Sequence, residues 1–210
     1  MNELNIFNTI PQEEQKQLAE ILDMHRLSYK TNETIYDTQN RILVIESGSA
    51  RLMTTDTDVT YNIIQILEAG DIISKEMLHS TKNITYSVKV FDGMSVLSFD
   101  MIRAQEAITE CPNAYGIFMT NLMNAVSRTA SRTFNRITVS ANRSIRKRLM
   151  EYFELQKNNN RSVKFKIPLS MAELADYIGA DRSAMLRDMK KMRDERLKEA
   201  KNRSVTVYFG

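Results

Sequence analysis

A change of texture near residue 100 limits the fold of this chain more than any other feature. Between residues 27 and 99 the β-branched and aromatic residues gather in short runs at 42–45, 50–54, 59–67, 85–91 and 94–99. Turn-forming groups separate them, at 37–40, Ser47-Gly48, 56–58, Gly70-Asp71, 80–83 and Asp92-Gly93. Turn signals recurring about every eight to thirteen residues predict an all-β sandwich or barrel. After Asp100 the apolar spacing becomes helical, so a β domain must be followed by an α-rich part. A chain of 210 residues has room for two such domains, each with its own core.

Helices are expected at both ends of the β region. A short amphipathic one spans about residues 11–24, with Pro11 in its first turn, Glu13 and Glu14 beside it, and Leu18, Ile21 and Leu22 on one side. Pro112 can open a long helix reaching about residue 139. Along it Tyr115, Phe118, Leu122, Ala125 and Thr129 step by three and four, while Met119, Met123, Val126 and Ile137 make a second apolar flank. Two stripes suit a helix that packs on its own β domain with one and on a second copy of the chain with the other. Burial of both stripes within one subunit is the alternative; the length, about 28 residues, favours the dimer. A further helix over about 143–156 places Ile145, Leu149, Tyr152 and Phe153 on one face, and three asparagines at 158–160 end it. Residues 163–167 and 204–209 read as short strands.

The net charge of +3 hides an asymmetry. Residues 1–140 carry 12 Lys and Arg against 17 Asp and Glu, whereas residues 141–210 carry 17 against 9. A basic C-terminal module behind an acidic one fits a polyanion-binding domain, although charge alone does not choose among DNA, RNA and an anionic membrane. The least charged stretch, 111–127, holds Pro112, Gly116 and three asparagines, too polar to span a bilayer. The opening Met1-Asn2-Glu3 lacks a secretory pattern, and a cytoplasmic location is expected. Cys111 is the single cysteine, so an intramolecular disulfide is excluded and a thiolate metal cluster is not expected.

The strongest functional signal lies at 170–187. Ser170 and Glu173 have capping-box spacing, Leu174, Ala175 and Ile178 give a buried edge, Gly179 allows a sharp bend, and Asp181 can cap a second helix. That helix is expected to bury Met185, Leu186, Met189 and Met192 and to expose Arg182, Ser183, Arg187, Lys190 and Lys191. Two helices joined by a tight turn, the second with arginines near its start, form a unit that can enter a DNA major groove.

In Glu173-Leu174-Ala175, Ile178-Gly179 and the Arg182-Ser183-x-x-x-Arg187 spacing, this segment resembles the helix-turn-helix of the Crp/Fnr regulators, the cyclic-AMP receptor and fumarate-nitrate regulator family. The resemblance extends to residues 44–52, similar to the family's early strand-Gly-strand turn, and to residues 66–73, similar to its Pro-Gly-Asp approach to a strand. It implies an α+β chain: a cyclic-nucleotide-binding-like β-barrel (double-stranded β-helix) at 1–110, a long dimerisation helix and hinge at 111–140, and a winged helix-turn-helix at 141–210. It also implies a homodimeric transcriptional regulator on an inverted-repeat operator, with double-stranded DNA and RNA polymerase as partners and no membrane. Arg182, Ser183 and Arg187 would then read bases, Ser170 and Lys190 would contact phosphates, and residues 198–203 would form a basic wing. One departure is the absence of a glycine in Glu195-Arg196-Leu197, which leaves either a longer recognition helix or a displaced wing.

The same resemblance makes the effector question sharp. Family members that bind cyclic nucleotides hold ribose and phosphate with a glutamate and an arginine after the Gly-Asp turn. Glu76 stands near the expected place, but no arginine occurs between Arg51 and Arg103, so neither cyclic AMP nor cyclic GMP is expected as effector. No cofactor and no metal are expected either, since His25 and His79 are isolated from each other and from Cys111. A cupin-type enzyme would need a histidine cluster that two isolated histidines cannot provide, and no catalytic residue is assigned. A ligand-binding or scaffolding protein with an RNA-attracting tail is the remaining alternative, which duplex sequence preference would separate from the regulator.

Overall fold

The computed structural model describes residues 6–56, 61–196, 198–201 and 204–208. The chain divides into two compact units, Met1–Arg132 and Thr133–Gly210. The first contains α1 (Gln12–Ile21), β1 (His25–Tyr29), β2 (Thr34–Ile35), β3 (Ile42–Asp56), β4 (Tyr61–Glu68), β5 (Ile72–Ile73), a 3-10 turn (Lys75–Leu78), β6 (Ile84–Phe99) and α2 (Ala104–Glu110). The long helix α3 (Pro112–Ala141) begins in this unit and ends in the second.

The β strands make an antiparallel, jelly-roll-like sheet in the order β1-β6-β3-β4, with β2 on β6 and β5 on β3. Among the described residues its hydrogen-bonded path does not return from β4 to β1, so the expected barrel is an unclosed one. Two long strands replace four of the short runs. Ser47-Gly48 and Asp92-Gly93 are not hairpin ends: they face each other inside β3 and β6, where the pairing slips between Ile45 and Ala50. Gly48 adopts φ +85°, and a Cβ there would lie 2.1 Å from the Gly93 carbonyl oxygen. Bulges of this kind bend long strands so that one ribbon can fold over itself.

Period-two alternation then divides the apolar residues of the same strands between two cores. Leu43, Ile45, Met94 and Val96 point into the jelly roll with Leu52, Leu67 and Val88. Val44, Leu97 and Phe99 point outward, where α1, α2 and the first half of α3 cover them with Leu18, Leu22, Ala107, Phe118 and Leu122. Phe99 meets Phe118 edge-on at 5.3 Å. The first stripe of α3 is therefore buried on its own unit, with Ala125 and Thr129 continuing it. Of the second, Met119 packs against the same core, whereas Met123 is 57% exposed and Ile137 53%, and Val126 and the nearby Phe134 are exposed as well.

The second unit contains the end of α3, α4 (Ile145–Asn160), β7 (Lys164–Lys166), α5 (Met171–Ile178), α6 (Arg182–Asp194), β8 (Lys198–Lys201) and β9 (Ser204–Val207). Strands β7, β9 and β8 form a small antiparallel sheet in that order. Helix α4 runs through the asparagines expected to end it and stops where Arg161 takes a left-handed φ of +49°. Its start is fixed by Ser144, whose hydroxyl accepts from the Lys147 N–H at 3.2 Å. Leu149, Tyr152 and Phe153 bury its inner face, and Tyr152 stacks edgewise on Tyr177 of α5 at 5.6 Å.

Candidate nucleic-acid interface

The bend between α5 and α6 is built by local chemistry. The Ser170 hydroxyl accepts from the Glu173 N–H at 3.2 Å, and the Glu173 carboxylate accepts from the Ser170 N–H at 2.8 Å, so the capping box closes in both directions. Gly179 ends α5 with φ +65° and ψ +48°, a conformation in which any other residue is strained. Two residues later the Asp181 carboxylate accepts from the Ala184 N–H at 2.8 Å and starts α6.

Rotation of α6 about its axis is set by its buried stripe. Met185, Met189 and Met192 step by four and three and are all buried. Arg182, Ser183, Arg187 and Lys190 are consequently exposed, and helical geometry puts them on one outward side. Leu186 departs from expectation: it is 40% exposed and belongs with the cations. Each residue advances about 100° around a helix, so a stripe closed by Met185, Met189 and Met192 leaves Leu186 at its outer edge. Ser170 is exposed at the N-terminus of α5, where free N–H groups and the helix dipole favour a phosphate.

Two arginines of α4, Arg146 and Arg148, hold this arrangement. Arg148 donates through Nη1 to the carbonyl oxygens of Gly179 at 2.6 Å and Ile178 at 3.1 Å, and through Nε to that of Asn142 at 2.7 Å. One guanidinium thus ties the end of α5 to the residues between α3 and α4, and its charge meets the negative end of the α5 dipole. Arg146 makes a two-pronged pair with Glu195 at the end of α6, its Nη1 lying 2.8 Å from Oε1 and its Nη2 bonding Oε2. Hydrogen bonding from Arg146 holds the Glu195 carboxyl below the usual range. No local pattern marks either pair, because the partners are 31 and 49 residues away.

The missing glycine after α6 has a simple resolution. Arg196 itself takes the left-handed conformation, φ +57°, and α6 ends at Asp194 rather than running on. The expected wing loop is largely strand: β8 pairs with β9 from Lys198 opposite Val207 to Lys201 opposite Ser204. Leu197, Asn202 and Arg203 lie outside the described residues.

The first unit places the other expected residues. Glu76 is exposed on the 3-10 turn, and hydrogen bonding with Ser74 holds its carboxyl low. His25 is exposed and pairs with Asp23 at 2.8 Å, and His79 is exposed. Cys111 is buried, which pushes its thiol up. Among the described residues no three metal-ligating side chains gather, and no helix is long and apolar enough to cross a membrane.

A buried polar knot joins α3 to the sheet instead. Asp71 is fully buried beside Arg132, whose Nε lies 3.3 Å from its Oδ2 and whose Nη1 lies 2.7 Å from Glu68 Oε2. The Thr129 hydroxyl accepts from the Ile72 N–H at 3.1 Å and lies 3.3 Å from Asp71 Oδ1, while Gln65 Nε2 donates to the Thr129 carbonyl at 2.8 Å. Burial outweighs the arginine, so the Asp71 carboxyl is raised above the ordinary aspartate range. Thr129, read in sequence as one step of an apolar stripe, is the polar hub of this contact.

Residues 147–208 match the family model described as the Crp-like helix-turn-helix domain. No curated protein matches the chain. Several solved structures share its fold. The c-di-GMP responsive global regulator CLP of Xanthomonas campestris is 16% identical, with a TM-score of 0.69 over 95% of this chain and 100% of that one. A CooA mutant from Carboxydothermus hydrogenoformans is 17% identical, with a TM-score of 0.68 over 98% and 94%. A CRP/FNR family transcriptional regulator from Thermus thermophilus is 12% identical, with a TM-score of 0.61 over 88% and 94%.

Proposed function

We propose that this protein is a sequence-specific, DNA-binding transcriptional regulator and not an enzyme, a reading supported by the match of residues 147–208 to the Crp-like helix-turn-helix domain and by a fold shared with a CRP/FNR family regulator. The observation that carries this reading is the face of α6: Arg182, Ser183, Arg187 and Lys190 stand exposed along the outward side of a helix whose rotation and approach are fixed from behind. In this reading Arg182, Ser183 and Arg187 meet base edges, where an arginine can bind guanine O6 and N7 together. Ser170, at the N-terminus of α5, and Lys190 anchor phosphates.

The exposed apolar flank of α3, from Met123 to Ile137, supports a homodimer, because an isolated helix rarely leaves such a stripe in water. Two copies would present their α6 helices about 34 Å apart, to successive major grooves of an inverted repeat, and could bring RNA polymerase to a promoter. In this reading residues 1–110 are the sensor-like part, and residues 111–140, which run from the first unit into the second, are the dimerisation helix and hinge. The site after the Gly-Asp turn offers an exposed Glu76 and a Thr129-Asp71-Arg132 knot, chemistry that suits neither cyclic AMP nor cyclic GMP. The effector domain is read as one that has lost its cyclic-nucleotide arginine.

Gel-shift titration on a duplex enriched from random-sequence DNA tests the proposal. Arg182→Ala should lose about 1 to 3 kcal/mol of discrimination at one base step, while Lys190→Ala should weaken all duplexes alike and lower the salt dependence by about one counterion. Unchanged footprints in both variants would show that α6 is not the reader.

A further inference from the structure

Leu186 is the one large apolar side chain on the outward side of α6 among the described residues, and the fold does not hide it. Scattered exposed leucines are ordinary on a protein surface and need no function. This one differs in its surroundings: Arg182 and Lys190 lie one turn before and about one turn after it, Ser183 lies three residues back, and Arg187 follows it directly. A face bounded by three cations is drawn against a polyanion, so whatever Leu186 meets there must lie between phosphates.

In the major groove the base edges offer hydrogen-bond donors and acceptors and a single apolar group, the methyl on C5 of thymine. A leucine can satisfy none of the donors or acceptors. Placed over cytosine it would strip water from the N4 amino group and return no hydrogen bond, whereas over thymine it buries methyl against methyl. We propose that Leu186 reads a pyrimidine through its 5-methyl group and makes this protein select thymine over cytosine at one step of each half-site. The inference rests on the reading of α6 as the DNA-contacting helix and adds to it a base identity that the arginines do not supply.

The test uses the full chain and a duplex enriched by it from a random-sequence pool. Each thymine is replaced in turn by deoxyuridine, which removes only the methyl. At one thymine per half-site the replacement should weaken binding by the wild-type chain about fourfold, the value of one buried methyl. Leu186→Ala, a substitution that an exposed helical site accepts without loss of fold, should bind the thymine and deoxyuridine duplexes equally. At the same step cytosine should bind more weakly than thymine, and 5-methylcytosine should recover part of the loss, because it restores the methyl but keeps the N4 amino group that the leucine strips of water.

A methyl effect that persists in Leu186→Ala would overturn the assignment, as would an enriched duplex in which no thymine methyl matters. Failure to enrich any sequence is a different result: it would remove the regulator reading itself and this inference with it.

Discussion

Gly48 and Gly93 face each other across β3 and β6, yet the structure assigns them opposite tolerances. A methyl at Gly48 would lie 2.1 Å from the Gly93 carbonyl oxygen and 2.8 Å from Met94 Cα, and both are backbone atoms that no rotamer change can move. Its φ of +85° adds a second penalty. Left-handed backbone costs a residue with a side chain about 1–2 kcal/mol, and displacing the facing strand adds about 1–3 kcal/mol, so Gly48→Ala should lose about 2–5 kcal/mol. The unit that holds both glycines ends at Arg132. At about 2.1 cal/mol/K per residue its unfolding entropy makes each kcal/mol worth about 3.6 °C, which predicts a fall of about 7–18 °C. A Cβ at Gly93 meets nothing nearer than the Tyr29 carbonyl oxygen at 3.9 Å, and Gly93→Ala should shift the transition by less than about 2 °C. Scanning calorimetry of the full chain reads both. Equal losses in the two variants, or a Gly48→Ala loss below about 1 kcal/mol, would refute the account of the bend.

Arg148→Met keeps the aliphatic stem and removes three hydrogen bonds to carbonyl oxygens, so urea unfolding should show the second unit about 2 kcal/mol less stable, while Arg182→Ala, exposed and free of such a duty, should stay within about 0.5 kcal/mol. Asp71 binds its proton more tightly folded than unfolded, because burial raises its carboxyl above the ordinary aspartate range. Its own contribution to stability therefore grows as pH falls through that raised value and is lost as pH rises through it. Urea midpoints of the wild-type chain minus those of Asp71→Asn should accordingly be more favourable to wild type at about pH 4.5 than at about pH 7.5; the opposite trend would mean that Arg132 outweighs burial.

The caps and the periodicities were legible in the chain itself. Ser170 with Glu173, Gly179 and Asp181 act within a few residues of themselves, so their geometry follows from local sequence, and the steps from Phe118 to Ala125 name the buried side of α3 without a partner. The charge asymmetry between the two parts of the chain likewise required no coordinates. What the tertiary structure decided depends on distant segments. A Ser-Gly or Asp-Gly pair looks the same in a hairpin end and in a bulge, and only the pairing of β3 with β6 made Ser47-Gly48 and Asp92-Gly93 the latter. Leu186 could have closed the methionine stripe or left it, and the packing of α6 against α4 and α5 chose its outward position. The reach of Arg148 to Gly179 and of Arg132 to Asp71 joins residues 31 and 61 positions apart by number, distances at which hydrophobic period and capping carry no information.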